Sequence, residues 1–356
     1  MRRLTIAEYE SLLGRNPVEV DTAAIDALVR DKVVLVTGAG GSIGSELCRQ
    51  ACARGAGRVV LVDQSEDGLF NIHRELCNHY SDLRVDPRIG DVRDRRRMRA
   101  VFSEERPDII LHAAAYKHVP MMERSATEAF VNNVLGTRLV ADLSAAYGAD
   151  RFVLVSTDKA VTPASIMGAT KHLAELYVRG LAQAGRTRFV AVRFGNVLGS
   201  VGSVVPIFLE QIADGGPVTV THPDMVRYFM TIPEACGLVL RTSSMGVGGE
   251  VFVLDMGQPI RIVDLAHDLI RLCGADPDKI GVIYTGIRPG EKLTEHLTAQ
   301  GGGCDPTDQP GIFVAGRAST HHGRLLAVIE EIRNAVEDGD DGLVRKLLLA
   351  ENGLPT

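Results

Sequence analysis

The chain has 356 residues, 45% of them hydrophobic and 24% charged, with a formal net charge of -6. That composition is ordinary for a soluble globular protein and argues against a nucleic-acid or anionic-membrane partner. The six cysteines include no CxxC pair and no attendant histidine cluster, so no metal is expected and the thiols read as reduced core residues.

The first residues, MRRLTIAEYESLLGRNP, are too polar for a signal peptide, and no apolar run approaches the roughly 20 residues that cross a bilayer; a cytoplasmic protein without membrane insertion is expected. Residues 1–30 read as a lead-in, with Asp21 capping a helix through Arg30 that puts Ala24, Ile25 and Leu28 on one face. Val33–Val36 is a short apolar run met at once by glycines, as in a strand buried on both faces of a parallel sheet. Similar runs follow at Arg58–Val62, Ile109–Leu111, Phe152–Val155, Phe189–Val192 and Val251–Leu254, with helix-like segments such as Ser45–Arg54 and Ala126–Tyr147 between them. This alternation predicts an α/β fold built on a Rossmann-type doubly wound parallel sheet. The arginine-rich stretch from Arg84 to Arg106, interleaved with acids, reads as a solvated helix face. After about residue 196 the rhythm loosens into Gly- and Pro-rich segments, as suits a smaller C-terminal substrate-binding lobe. The expected division is a cofactor domain over 31–195, its sheet completed by later segments, a lobe mainly over 196–316, and C-terminal helices over 317–356 split at Glu337–Asp341.

Thr37-Gly38-Ala39-Gly40-Gly41-Ser42-Ile43-Gly44 ends the first strand and opens a helix. Gly38 permits a tight turn, Gly41 lets backbone approach a pyrophosphate, and Gly44 lets helix and strand pack closely, while the helix N-terminus offers free N–H groups to the phosphates. Asp63 ends the second strand roughly 20 residues further on, where a carboxylate accepts from both adenosine ribose hydroxyls and repels a 2′-phosphate; the cofactor expected is NAD. Asp91, after a presumed third strand, is a candidate acceptor for the adenine amino group or else a helix cap.

Ser156-Thr157-Asp158-Lys159 follows a strand, at the end of the sheet that faces a ligand crevice. Met167 and Lys171 stand where short-chain dehydrogenases place the Tyr and Lys of Tyr-x-x-x-Lys. A thioether has no proton to exchange, so the base has to be another group, and Asp158 with Lys159 is the available pair. Keeping two adjacent ionisable groups at a buried strand end costs several kcal/mol of desolvation, which favours an active site over a cofactor-binding relic.

These residues resemble the nucleotide-sugar 4,6-dehydratases of bacterial polysaccharide biosynthesis, the UDP-N-acetylglucosamine group of the extended short-chain dehydrogenases. The resemblance spans about 13–316 and rests on TGAGGSIGSEL at 37, HAAAYKHVPMME at 112, NNVLGT at 132, STDKAV at 156, MGATK at 167, RFGNVLGS at 193, THPDMVRYFMTIPEA at 221 and RPGEKL at 288. Met167 resembles the larger, membrane-anchored members, and LLGRNPVEVDTAAIDALVRDK resembles the linker that joins their membrane and catalytic parts. Val201 departs from the Arg usual in its loop.

The resemblance implies oxidation at C4 of a UDP-hexose, loss of water across C5 and C6, and reduction at C6, with internally recycled NAD and retained C5 configuration. It implies that Lys159 takes the C5 proton, Asp158 protonates the C6 hydroxyl, Thr157 hydrogen-bonds the C4 oxygen and Lys171 binds the nicotinamide ribose. Thr37, Gly38, Gly41, Ser42, Ile43, Gly44, Asp63, Asp91, Val92, Ala113 and Ala114 go with the cofactor. Lys117, Asn196, Val205, Arg227, Arg288 and Glu291 go with the sugar nucleotide, the arginines on its diphosphate and Glu291 on its ribose. His112 reads as a packed strand-end residue. Relatives form dimers or hexamers, so a homo-oligomer is expected. The rivals are a UDP-sugar 4-epimerase, a 5,6-dehydratase and, through Met167, a cofactor-sensing regulatory module.

Overall fold

A computed structural model of the chain describes residues 4–182, 185–298, 303–315 and 322–350. The strands in chain order are β1 (Val33–Thr37), β2 (Arg58–Asp63), β3 (Arg84–Ile89), β4 (Ile109–His112), β5 (Arg151–Val155) and β6 (Arg188–Arg193). The short strands β7 (Asn196–Val197), β8 (Val218–Val220), β9 (Val226–Arg227) and β10 (Phe229–Met230) follow. Then come β11 (Val251–Leu254), β12 (Ile260–Arg261), β13 (Val282–Tyr284), β14 (Cys304–Pro306) and β15 (Ile312–Ala315). One nine-stranded sheet runs β14-β15-β11-β6-β5-β4-β1-β2-β3. Pairings from β3 through to β11 are parallel, and β15 and β14 close that edge antiparallel. The order β3-β2-β1-β4-β5-β6 is that of the Rossmann-type doubly wound sheet, the fold class expected from the alternating runs.

The strands read as continuous apolar runs because both of their faces are covered. Leu35, Val60, Ile110 and Phe152 point into one core, while Val34, Val36, Val59, Leu61 and Val153 point into the other. A third core, around Val205, Phe208, Leu265 and Leu269, belongs to the lobe, whose strands pair as β7 with β10, β9 with β12 and β8 with β13. Helix α1 (Ile6–Leu13) packs Tyr9, Leu12 and Leu13 on that lobe core. Asp21 caps α2 (Thr22–Val29), which buries Ile25 and Val29.

Several expectations need correction. Ala126–Tyr147 is not one α-helix: Val131–Gly136 forms a π-turn between Ala126–Phe130 and Thr137–Ala146. The arginine-rich stretch is not one solvated helix face either. Its first part is β3, and Arg58 and Arg88 both bind the buried carboxylate of Glu105 on the helix Arg95–Glu105. Of the cysteines, Cys48, Cys52 and Cys236 are buried, but Cys77 is exposed and Cys273 and Cys304 are partly so. No described helix is long and apolar enough to cross a membrane.

Candidate active site

The strand order reverses between β1 and β4, and a doubly wound sheet binds its ligands outside the carboxyl ends of its strands at such a switch point. A cleft of about 1060 Å³ opens there, lined by Gly38, Gly41 and Gly44, by Ala113 and Lys117, by Thr157, Lys159, Met167 and Lys171, and by Asn196, Arg227, Arg288 and Glu291.

The glycine turn is shaped by backbone. Gly38 has φ 70°, and a Cβ there would sit 2.8 Å from Ala114 N; at Gly44 it would sit 1.9 Å from Gly38 O. Gly41 N-caps the helix α3 (Ser42–Ala53) with no side-chain capping bond, so the first N–H groups of α3 stay available at the cleft. Asp63 is held by two backbone donors, Gly40 N–H to Oδ2 and Ser65 N–H to Oδ1, both at 2.8 Å. A turn that admits no side chain, free helix N–H groups and a fixed carboxylate at the end of β2 together fit the pyrophosphate and adenosine ribose of a dinucleotide. Asp91 accepts from the Arg93 N–H and guanidinium; burial pushes its pKa up, but Arg93 outweighs this and holds the carboxyl below its ordinary range. The cap of the following helix is Asp94 instead, which accepts from Arg97 N. Ser42, Ile43 and Ala113 line the cleft, and Thr37, Asp63, Asp91, Val92 and Ala114 are not among its lining residues. His112 is packed: its ring nitrogens lie 2.7 Å from Thr37 Oγ1 and 3.0 Å from Thr137 Oγ1, and burial lowers its pKa to about 3.

At the end of β5, Asp158 Oδ1 accepts from Thr157 Oγ1 at 2.8 Å and from Lys159 Nζ at 2.9 Å. Lys159 Nζ also donates to Asn196 Oδ1 at 3.2 Å. The placement of Asp158 differs from the expected one. Its side chain is fully buried behind Thr157 and Lys159, which line the cleft, and Oδ2 has no hydrogen-bond partner. Two contacts set this: the Asp158 N–H bonds to Phe194 O, just past β6, and the 3₁₀ turn Asp158–Ala160 carries the carboxylate inward. Opposite stand Met167 and Lys171, on the helix Ile166–Leu181 capped by Ser165. Lys171 Nζ donates to Val155 O at 2.7 Å, and burial lowers its pKa to about 8.

Two supports escaped the sequence reading. Ser156 and Arg193 both bind the buried Glu175, Arg193 from two nitrogens at 2.6 and 2.9 Å, which ties β5 and β6 to the helix that bears Lys171. The π-turn aims Asn133 at Tyr116 N (2.8 Å), Tyr116 O (3.0 Å) and Thr170 Oγ1 (3.0 Å), fixing the wall that holds Lys117. The motif NNVLGT was visible, but a helical-bulge side chain bonding across elements leaves no periodic signal.

At the far end of the expected residues, Lys117 Nζ donates to Val201 O at 2.9 Å, and burial pushes its pKa down. Arg227 donates to the carbonyls of Val226, Lys292 and Leu293, and Arg288 pairs with Glu291 at 2.6 Å. Val205 is a correction: it is fully buried in the lobe core, and Val204 lines the cleft in its place, because Val205 falls on the inner face of the helix Val204–Ala213. Val201 exposes 76% of its surface while its N–H bonds to Ser42 Oγ, so its backbone rather than its side chain bridges the cleft mouth.

The family described as "Polysaccharide biosynthesis protein" matches residues 34–317. The chain is 52% identical over 299 residues to the capsular polysaccharide biosynthesis protein CapD of Staphylococcus aureus, covering 83% of this chain and 50% of that one, so it spans about half the length of that relative. It is 33% identical to a UDP-N-acetylglucosamine 4,6-dehydratase (inverting) of Campylobacter jejuni, covering 74% of this chain and 76% of the relative. It is 32% identical to a UDP-glucose 4-epimerase of Rickettsia canadensis, covering 76% and 78%. Among solved structures, Pen from Bacillus thuringiensis superposes with a TM-score of 0.74 at 29% identity, over 87% of this chain and 99% of that one.

Proposed function

The chain belongs to the polysaccharide biosynthesis protein family, and from that premise we propose that it is an NAD-dependent nucleotide-sugar 4,6-dehydratase. Its substrate is UDP-N-acetylglucosamine or a close UDP-hexose, its product the UDP-4-keto-6-deoxy sugar with C5 configuration retained, and its place of work the cytoplasm. Residues 31–195 carry the cofactor and 196–316 mainly the sugar nucleotide. The observation that carries this reading is Lys159 Nζ in the cleft wall, hydrogen-bonded to Asp158 and Asn196, facing a helix whose phenol position is Met167.

The glycine turn and the start of α3 hold the cofactor's pyrophosphate, Asp63 its adenosine ribose, and Lys171 its nicotinamide ribose. Bound NAD supplies the hydride acceptor for C4 and the hydride donor for C6. The chain's residues handle the protons. As the 4-ketone forms, Thr157 Oγ1 takes up the C4 hydroxyl proton and passes its own to Asp158 Oδ1, to which it already donates. Lys159 Nζ removes the C5 proton that the ketone has acidified and returns it to the same face of C5 as C6 is reduced. Asp158 delivers a proton to the departing C6 hydroxyl through Thr157 or Lys159, the two groups that connect it to the cleft. Each positioned acid or base of this kind typically contributes about 10²–10⁴ in rate. Met167 excludes water without exchanging protons.

Incubation of the purified protein with UDP-N-acetylglucosamine, followed by mass spectrometry and NMR, tests the reading. A 4-keto-6-deoxy product with C5 unchanged is expected. A C4 stereoisomer of the substrate assigns the 4-epimerase instead, an unsaturated 5,6-product the 5,6-dehydratase, and an untouched sugar the regulatory module.

A further inference from the structure

We infer that Arg345, on the helix Asp341–Ala350 and beyond the family-matched span, is a positioning residue for the cleft. It clamps Glu123, and Glu123 sets the distance between the Arg288–Glu291 turn and the helix that bears Met167 and Lys171. Arg345 Nη1 donates to Glu123 O at 2.7 Å and Nη2 to Glu123 Oε2 at 2.5 Å. The other carboxylate oxygen, Oε1, accepts the Ile166 N–H at 2.7 Å, at the first residue of the Met167 helix. Gly290 packs directly on the same atom: a Cβ there would sit 2.8 Å from Glu123 Oε1 and 2.9 Å from Val119 Cγ1.

Glu123 is nearly buried, its side chain 6% exposed. A carboxylate in that position depends on its counter-charge, and without Arg345 it is left unpaired and has to turn toward solvent. That change moves the atom that Ile166 and Gly290 both rest on. The turn that moves with Gly290 carries Arg288 and Glu291, and the helix that moves with Ile166 carries Met167; all three line the cleft. The last helix of the chain is thereby part of the site's frame. Its own start is pinned close by, where Asp341 Oδ1 accepts the Thr127 N–H at 2.9 Å.

This rests on the cleft being the sugar-nucleotide site, and the test separates the two claims. KM and kcat for UDP-N-acetylglucosamine, bound NAD and the unfolding midpoint are measured for the full chain, Arg345→Ala, Arg345→Lys, Glu123→Gln and the double variant Glu123→Gln/Arg345→Ala. Arg345→Ala is expected to raise KM about tenfold with NAD content unchanged, since small displacements of binding groups carry such penalties. Arg345→Lys is expected to recover most of that loss, and the double variant to be no worse than the weaker single one, because the two residues act as a unit. A fall in the unfolding midpoint with KM and kcat unchanged, or single effects that multiply in the double variant, overturns the proposal. Arg345→Gln replaces the Ala variant if that one does not fold. If the wild type turns over no nucleotide sugar, the functional reading fails, and calorimetry with UDP decides the positioning role: equal affinity for wild type and Arg345→Ala overturns it.

Discussion

The two sides of the cleft are held by different kinds of contact. On the side proposed for the cofactor the backbone makes the shape: Gly38 and Gly44 admit no side chain, and Asp63 is locked by the N–H groups of Gly40 and Ser65. On the side proposed for the sugar nucleotide the charged side chains satisfy one another or nearby carbonyls, Arg288 on Glu291, Arg227 on Lys292 and Leu293, and Lys117 on Val201. The first half is preformed, and its fit is steric. The second half has to trade existing hydrogen bonds for those of its ligand, so its affinity is the difference between two polar arrangements.

Substitutions should expose that contrast. Gly44→Ala drives a methyl into the carbonyl of Gly38, and neither backbone segment can yield; a loss of about 3 kcal/mol or more in unfolding free energy is expected, together with loss of bound NAD. Retained NAD in a stable Gly44→Ala protein rejects the steric account. Next in size, Lys159→Ala should lower kcat by about 10²–10⁴ while leaving NAD content intact, and normal turnover in that variant removes Lys159 from the chemistry.

The pH dependence follows from Lys171, whose pKa burial lowers to about 8 from 10.5. Below about pH 8 both folded and unfolded chains carry its proton, and the fold bears the full cost of the buried charge. Between about pH 8 and 10.5 the unfolded chain binds more protons, so stability relative to Lys171→Met should rise with pH across that window, as denaturant titrations at several pH values will show. A pH-independent difference contradicts a buried, titrating amine. The smallest stability effect belongs to Arg288→Ala. Its guanidinium is over half exposed in the pair with Glu291, which is worth about 1 kcal/mol or less, yet KM for the nucleotide sugar should rise. A large fall in unfolding midpoint without a KM change makes Arg288 a structural residue instead.

Much of the fold was legible in the chain. Val33–Val36 read as a strand because both faces are buried, and Gly38 and Gly44 read as parts of a turn because only glycine leaves the room they need there. The polar positions were harder. Asp158 could be named but not oriented, since the bond from its N–H to Phe194 O depends on a strand far along the chain. Val205 and Val204 are adjacent and alike, and only the rotation of their helix against the lobe core decides which of them meets the ligand.

Local chemistry alone therefore set the strand order of types, the glycine turn, Asp63 and the absence of a phenol at Met167, because apolar periodicity and glycine spacing act over a few residues. Folding decided the inward turn of Asp158, the Ser156–Glu175–Arg193 tie and the reach of Arg345 to Glu123. Those depend on groups distant in the chain meeting within hydrogen-bond reach, which no short stretch of residues encodes.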